Sequence, residues 1–140
     1  MRFWDTSAIA PLVVHEAESA RADQLIGADP AMVVWWGAPI ECGSALARRH
    51  REESLDSAGL QAATGRMRKL SAAFIEVPAS DELRNHALRT VRVHPLRAAD
   101  AMHLAAALIA SDFSPGALEF VTFDERQARA AELEGFRVIA

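Results

Sequence analysis

The stretch Leu96–Ala110, which reads LRAADAMHLAAALIA, constrains the chain more than any other. Alanine and leucine favour helix, and no Gly or Pro interrupts the run. It is apolar nearly all round, which predicts a helix enclosed in the core rather than lying on the surface. Its first turn nevertheless carries Asp100. An ionised carboxylate among apolar groups is costly unless it is paired, hydrogen-bonded or bound to a metal. The remaining elements therefore have to wrap this helix and supply Asp100 with a partner.

The flanking segments alternate between strand and helix signals. Arg2–Trp4 reads as a short strand ending on Asp5, and Asp5-Thr6-Ser7 offers helix-capping side chains before a helix over 8–14. A helix over 18–26 stops at the breaker Gly27-Ala28-Asp29-Pro30, and Met32–Trp36 is a continuous apolar run of the kind buried in parallel sheets. Pro39 suits the first turn of a helix that carries Glu41 and Cys42 and ends in Arg48-Arg49-His50-Arg51. A long helix from Ser54-Leu55-Asp56 to about Phe74 shows the stripe Leu60, Ala63, Met67 and Leu70. Further strands are predicted over 74–77, 119–123 and 136–139. Helices are predicted from Ser80 to about His94 and from Asp124 to Gly135, the latter opening with capping-box spacing at Asp124 and Gln127. Such alternation predicts a three-layer α/β/α sandwich with a mainly parallel sheet of about five strands, forming one domain over residues 1–140.

Composition excludes several classes. The net charge of −4 rules out a polycation that binds nucleic acid by bulk charge, so any such contact needs a local basic patch or metal ions. The single cysteine, Cys42, excludes an internal disulfide and a cysteine-based zinc site. No apolar run approaches the roughly 20 residues of a membrane span, and Met1–Asp5 has no signal-peptide hydrophobic region. A cytoplasmic protein without membrane association is expected.

In parallel α/β sheets ligands sit outside the carboxyl ends of the strands. Asp5 and Asp124 fall directly after predicted strands, Glu41 lies in the first turn after the second strand, and Asp100 opens the core helix. Each acid has a simpler reading as a helix cap or as a favourable charge at a helix start. Together, with Lys69 the only lysine, they make a poor ion-pair network and a suitable site for a hard cation such as Mg²⁺ or Mn²⁺. His103, three positions after Asp100, is either a buried hydrogen-bonded histidine or a metal ligand or base. Arg97 fits a phosphate contact or an ion pair with the acids, and Arg48–Arg51 a solvated helix end or a phosphate contact. Of Trp35 and Trp36, alternation assigns at least one to the core and leaves the other free to stack on a base or a partner.

Four strings in this order, Phe3-Trp4-Asp5-Thr6-Ser7-Ala8, Ile40-Glu41 with Leu46-Ala47-Arg48-Arg49, Leu96–Ala101, and Val121-Thr122-Phe123-Asp124, resemble the PIN-domain ribonucleases. The resemblance is to the VapC-type toxins of bacterial toxin–antitoxin pairs in particular, and it spans the chain. It implies an Mg²⁺- or Mn²⁺-dependent endoribonuclease acting on RNA, a homodimer, and a cognate antitoxin that blocks the site. Position by position it carries over Asp5, Glu41, Asp100 and Asp124 as catalytic and metal-holding acids, with Thr6, Ser7 and Thr122 as neighbouring hydroxyls. With Arg97 these hydroxyls are candidates for holding a carboxylate, a water or the substrate phosphate. The competing reading is a non-catalytic PIN-like module for RNA binding or protein interaction. A receiver domain would need a lysine after its last strands, and a haloacid-dehalogenase-type phosphatase would need an acid at position 7, where this chain has serine.

Overall fold

The computed structural model describes residues Met1–Ala140. Five strands, β1 (Arg2–Trp4), β2 (Met32–Trp35), β3 (Ile75–Val77), β4 (Glu119–Val121) and β5 (Arg137–Ile139), form one sheet in the order β3-β2-β1-β4-β5. All four pairings are parallel, as the sequence predicts. Helices α1 (Thr6–Val13), α2 (Ser19–Ala28), α3 (Ala38–Arg51), α4 (Ser57–Ser71), α5 (Asp81–Val93), α6 (Ala98–Ala110) and α7 (Glu125–Leu133) connect the strands, with a 3₁₀ turn over Pro115–Ala117.

Successive strand residues point to opposite faces, so β1, β2 and β4 each feed two cores. Phe3, Val33 and Phe120 pack with Leu83, Leu104 and Ala130 beneath α5, α6 and α7. Trp4, Val34 and Val121 pack with Ile9, Cys42 and Met67 beneath α1 to α4. Phe3 stacks on Phe120 with ring centroids 5.2 Å apart, joining β1 to β4 in the first core. Helix α6 is enclosed as expected: Ala101 and His103–Leu108 are all buried.

At the amino ends of the strands the charges are matched. Arg2 donates to Glu119 at 2.5 Å and to the Leu25 carbonyl at 2.8 Å, and Arg137 pairs with the same Glu119. The register Arg2↔Glu119↔Arg137 places these groups on three adjacent strands.

Several boundaries differ from expectation. Strand β4 ends at Val121, so Asp124 does not follow it directly: Thr122 and Phe123 intervene. Thr122 Oγ1 accepts from the Asp124 amide at 3.1 Å, a local turn that takes the chain out of the strand. Helix α2 runs through Gly27 to Ala28, and α4 starts only after Asp56, whose carboxylate caps Gly59 N–H at 2.7 Å. The core helix begins at Ala98, leaving Leu96 and Arg97 outside it. No helix is long and apolar enough to cross a membrane.

Candidate active site

The sheet order reverses beside β1: β2 and β3 lie on one side, β4 and β5 on the other. Crevices at such a switch point, beyond the carboxyl ends of the strands, are where open α/β sheets bind ligands. Asp5 lies at this point. The register pairs Trp4 with Val121, so the next residues, Asp5 and Thr122, continue side by side past the strand ends. Asp5 also caps α1 and is only 4% exposed.

One oxygen of Asp5 is fully engaged. Its Oδ2 accepts from Ser7 Oγ at 2.5 Å, Thr122 Oγ1 at 2.9 Å and Ser7 N–H at 3.3 Å. Ser7 Oγ in turn accepts from Phe123 N–H at 2.9 Å, tying α1 to the segment after β4. The other oxygen, Oδ1, lies 3.7 Å from His103 Nε2. Three donors on one oxygen fix the carboxylate plane and leave Oδ1 with free lone pairs.

Glu41 enters from the first turn of α3, where Pro39 and the N-terminal position suit an acid. His103 Nε2 lies 3.1 Å from Glu41 Oε2 and 3.1 Å from Thr6 Oγ1, while Thr6 Oγ1 donates to Glu41 Oε2 at 3.3 Å. The sequence offers this residue as a buried hydrogen-bonded histidine or as a metal ligand or base, and its burial and bonds to Thr6 and Glu41 bear out the first. Burial opposes its protonation, yet Asp5, Glu41 and Asp100 outweigh burial and raise its proton affinity above the ordinary imidazole range. Its Nδ1 is buried without a partner. The available signal was the three-residue spacing from Asp100, which puts both side chains toward the same rim.

Asp100 is half-buried in the first turn of α6 and accepts from Arg97 N–H at 3.3 Å. Burial and the nearby carboxylates of Asp5 and Asp124 raise its proton affinity, against a lowering by the Arg97 N–H. Asp124 caps α7, accepting from Arg126 N–H at 2.8 Å and Gln127 N–H at 2.9 Å. The capping box expected at Asp124 and Gln127 does not form. The Asp124 amide is already held by Thr122, and the Gln127 side chain turns to the Asp100 carbonyl at 2.9 Å, linking α7 to α6.

Of the expected substrate contacts, Thr122 is fully buried with its hydroxyl bound to Asp5, so it positions that acid and has no surface to offer a substrate. Ser7 orients Asp5, and Thr6 orients Glu41. Arg97 is the exposed N-cap residue of α6 and makes no ion pair with the acids. Trp35 is half-buried against the first core and Trp36 is 50% exposed, so neither indole is fully in the core. Cys42 is buried, and burial together with Glu41 and Asp5 pushes its thiol up to about 12, which makes it inert.

A parallel doubly wound sheet with acids beside its switch point is the α/β architecture in which ligands are bound at the carboxyl ends of the strands. Within that class the chain belongs to the PIN-domain family, whose model matches residues 2–133. Ribonuclease VapC45 of Mycobacterium tuberculosis (strain CDC 1551 / Oshkosh) and Ribonuclease VapC49 of M. tuberculosis (strain ATCC 25618 / H37Rv) are each 34% identical over 137 residues, covering 97% of this chain and 92% of the relative. Among solved structures, FitAcB from Neisseria gonorrhoeae superposes with a TM-score of 0.73 at 15% identity, covering 100% of this chain and 97% of that one. VapC20 of M. tuberculosis, described as a sarcin–ricin-loop-cleaving toxin, gives 0.71 at 20% identity, covering 97% and 96%. Both are similar to this chain in fold.

Proposed function

We propose that this chain is a divalent-metal-dependent endoribonuclease and the toxin of a toxin–antitoxin pair. The observation that carries this reading is the gathering of acids beyond the carboxyl ends of the strands: Asp5 and Glu41 share His103 Nε2, at 3.7 and 3.1 Å, and after burial the carboxylates of Asp5 and Asp124 raise the proton affinity of Asp100. A cation would relieve the repulsion behind that rise. The donors are carboxylate oxygens, the ligands that Mg²⁺ and Mn²⁺ prefer, and Asp5 presents an oxygen with free lone pairs. No three His, Cys, Asp or Glu side chains stand close enough together to hold a metal ion among themselves. Mg²⁺ does not require three, since it is commonly held by one or two carboxylates and keeps several waters.

Asp5 and Asp100 would hold the ion directly, with Glu41 and Asp124 completing its surroundings. Bound there, it would supply Lewis acidity and charge neutralisation toward a phosphodiester. The chain's own groups do the positioning. Ser7 and Thr122 lock Asp5, Thr6 and His103 hold Glu41, and the first turn of α7 holds Asp124. Arg97, exposed at the start of α6, would meet a phosphate of the RNA. A cognate antitoxin would cover the same rim and present an arginine to the carboxylates, and the toxin would act as a homodimer in the cytoplasm. The kinship with proteins named as VapC ribonucleases supports the reaction class.

The test is cleavage of total cellular RNA by the purified protein with Mg²⁺ or Mn²⁺, with EDTA, and with the Asp100→Asn variant. Metal-dependent cleavage, abolished by chelator and by Asp100→Asn in a protein that melts normally, is expected. Undiminished cleavage in EDTA would overturn the mechanism, and RNA binding without cleavage under any metal would favour the non-catalytic module.

A further inference from the structure

Beside the acids, on the far side of α6, lies a second feature of the same rim. A cleft of about 370 Å³ opens between the end of β2, the β3–α5 loop and α6, lined by Trp35, Ser80, Asp81, Leu83, Arg84 and Met102. Its size falls within the roughly 300–1,000 Å³ usual for small-ligand sites. One wall is the Trp35 indole, and Met102 brings a polarisable thioether. The buried Leu83 closes the apolar part, while Asp81 and Arg84 stand at the mouth, paired to each other at 2.5 Å and well exposed.

The indole is held by a close approach. Gly37 is buried against it, and a methyl group at Gly37 would fall 2.6 Å from Trp35 Cε2 and 2.9 Å from Cζ2. The backbone at Gly37 has φ −79°, open to any residue. Glycine is therefore needed there for the space it leaves to the ring. Trp36 meets Trp35 edge-on, with centroids 6.0 Å apart at 69°, and braces it further. A ring fixed in this way is a preorganised stacking surface, and stacking on such surfaces is how unpaired bases are commonly held.

We propose that this cleft receives a guanine base of the RNA strand whose phosphodiester lies at the acids, an inference that rests on the ribonuclease reading above. Residues of an α-helix advance by 100°, so Asp100 and Met102 face opposite sides of α6, about 10–12 Å apart across the helix. A short stretch of extended strand bridges that distance. The polar groups at the mouth select the base. A carboxylate only accepts hydrogen bonds, and guanine is the base that presents two adjacent donors, N1–H and the N2 amino group. Arg84 is the complementary donor for guanine O6. Uracil offers a carboxylate one donor, and adenine and cytosine offer an amino group beside a ring acceptor that Asp81 repels.

Binding of nucleoside monophosphates, which contain no phosphodiester to cleave, tests this by tryptophan fluorescence of the parent protein with EDTA present. Trp4 is fully buried, so the responsive emission is that of Trp35 and its neighbour Trp36. GMP should quench it with a dissociation constant about tenfold below those of AMP, CMP and UMP. Asp81→Asn, at a position too exposed to affect folding, should bring GMP level with AMP. Gly37→Ala, which displaces the ring, should weaken all four nucleotides together. Equal binding of the four by the parent protein, or a preference that survives Asp81→Asn, would overturn the assignment. If GMP is preferred but RNA stays intact with metal, the cleft stands and the ribonuclease reading falls. If RNA is cut with no base preference near the cut, the ribonuclease stands and the cleft assignment falls.

Discussion

Thr122→Val is the sharpest test of how the rim is built, because valine keeps the volume of threonine and removes only the hydroxyl. Thr122 is fully buried, and its Oγ1 donates to Asp5 Oδ2 at 2.9 Å while accepting the Asp124 N–H at 3.1 Å. A hydrogen bond to a charged group contributes about 1.5–3 kcal/mol, and an amide left unpaired costs about 1 kcal/mol or more. With no cavity created, the expected loss is about 2–4 kcal/mol. For a domain of this size that corresponds to a fall in melting temperature of roughly 10 °C. Thr122→Ser is the control. It keeps the hydroxyl and loses one methyl, at a cost of about 1 kcal/mol.

Urea or thermal melts of the three proteins measure the stability difference, and RNA cleavage well below the lowest melting temperature measures function. The valine variant should lose about 10–100-fold in activity even where it is fully folded, as expected if Asp5 holds the proposed metal and loses an outer partner. The serine variant should stay near the parent. A valine variant as stable as the parent, with serine the worse of the two, would show that the methyl group and not the hydroxyl matters. The bonding scheme around Asp5 would then be wrong.

Asp100→Asn should leave the metal-free protein as stable as the parent or slightly more so at pH 7. Its carboxyl binds protons more tightly in the folded state, so parent stability falls as pH rises from the ordinary carboxylate value through the raised one; the variant should lack that fall in melts between pH 3 and 8, within about 1 kcal/mol of lost helix-start charge. Added Mg²⁺ should raise the parent's melting temperature far more than the variant's, and an equal response would remove the acids from the metal site. At the opposite end of α7, burial would raise Glu134, but hydrogen bonds from His94 at 2.6 Å and Arg89 at 2.8 Å outweigh it and hold the carboxyl below its usual range. Glu134→Gln should cost about 1–3 kcal/mol at pH 7, and the difference from the parent should shrink as pH falls from the ordinary glutamate value through the lowered one. A difference independent of pH would contradict the ion-pair assignment.

The layered fold was legible because its signals are local and repeated: short apolar strands, capping side chains and one enclosed helix. Asp5 and Asp124 were legible as helix starts for the same reason. The wiring among the acids was not. Gln127 has the spacing of a capping-box partner, but that role needs a free amide at Asp124, and only the fold shows Thr122 already holding it. The end of β4 was misplaced because Thr122 and Phe123 continue the apolar, β-favouring pattern while the Thr122 hydroxyl turns the backbone away. His103 looked like a core histidine and is one by burial. Its place between Thr6, Glu41 and Asp5 depends on α6 crossing the strand ends, a relation between segments far apart in the chain.

The two ends of the sheet differ in how their charges are met. At the amino ends, Glu119 is matched by two arginines from neighbouring strands, so that rim is electrically closed. At the carboxyl ends, helix starts supply partial positive charge and backbone donors to Asp5, Asp100 and Asp124, which is capping in full. Capping alone, however, would favour ionised carboxylates, and Asp100 is pushed the other way by its burial and by Asp5 and Asp124. Partial charges at helix ends hold each acid in place, and His103 faces only Asp5 and Glu41 directly. On the function proposed above the same residues would serve both purposes: the caps fix where the carboxylates stand, and a divalent cation would relieve the repulsion that remains around Asp100.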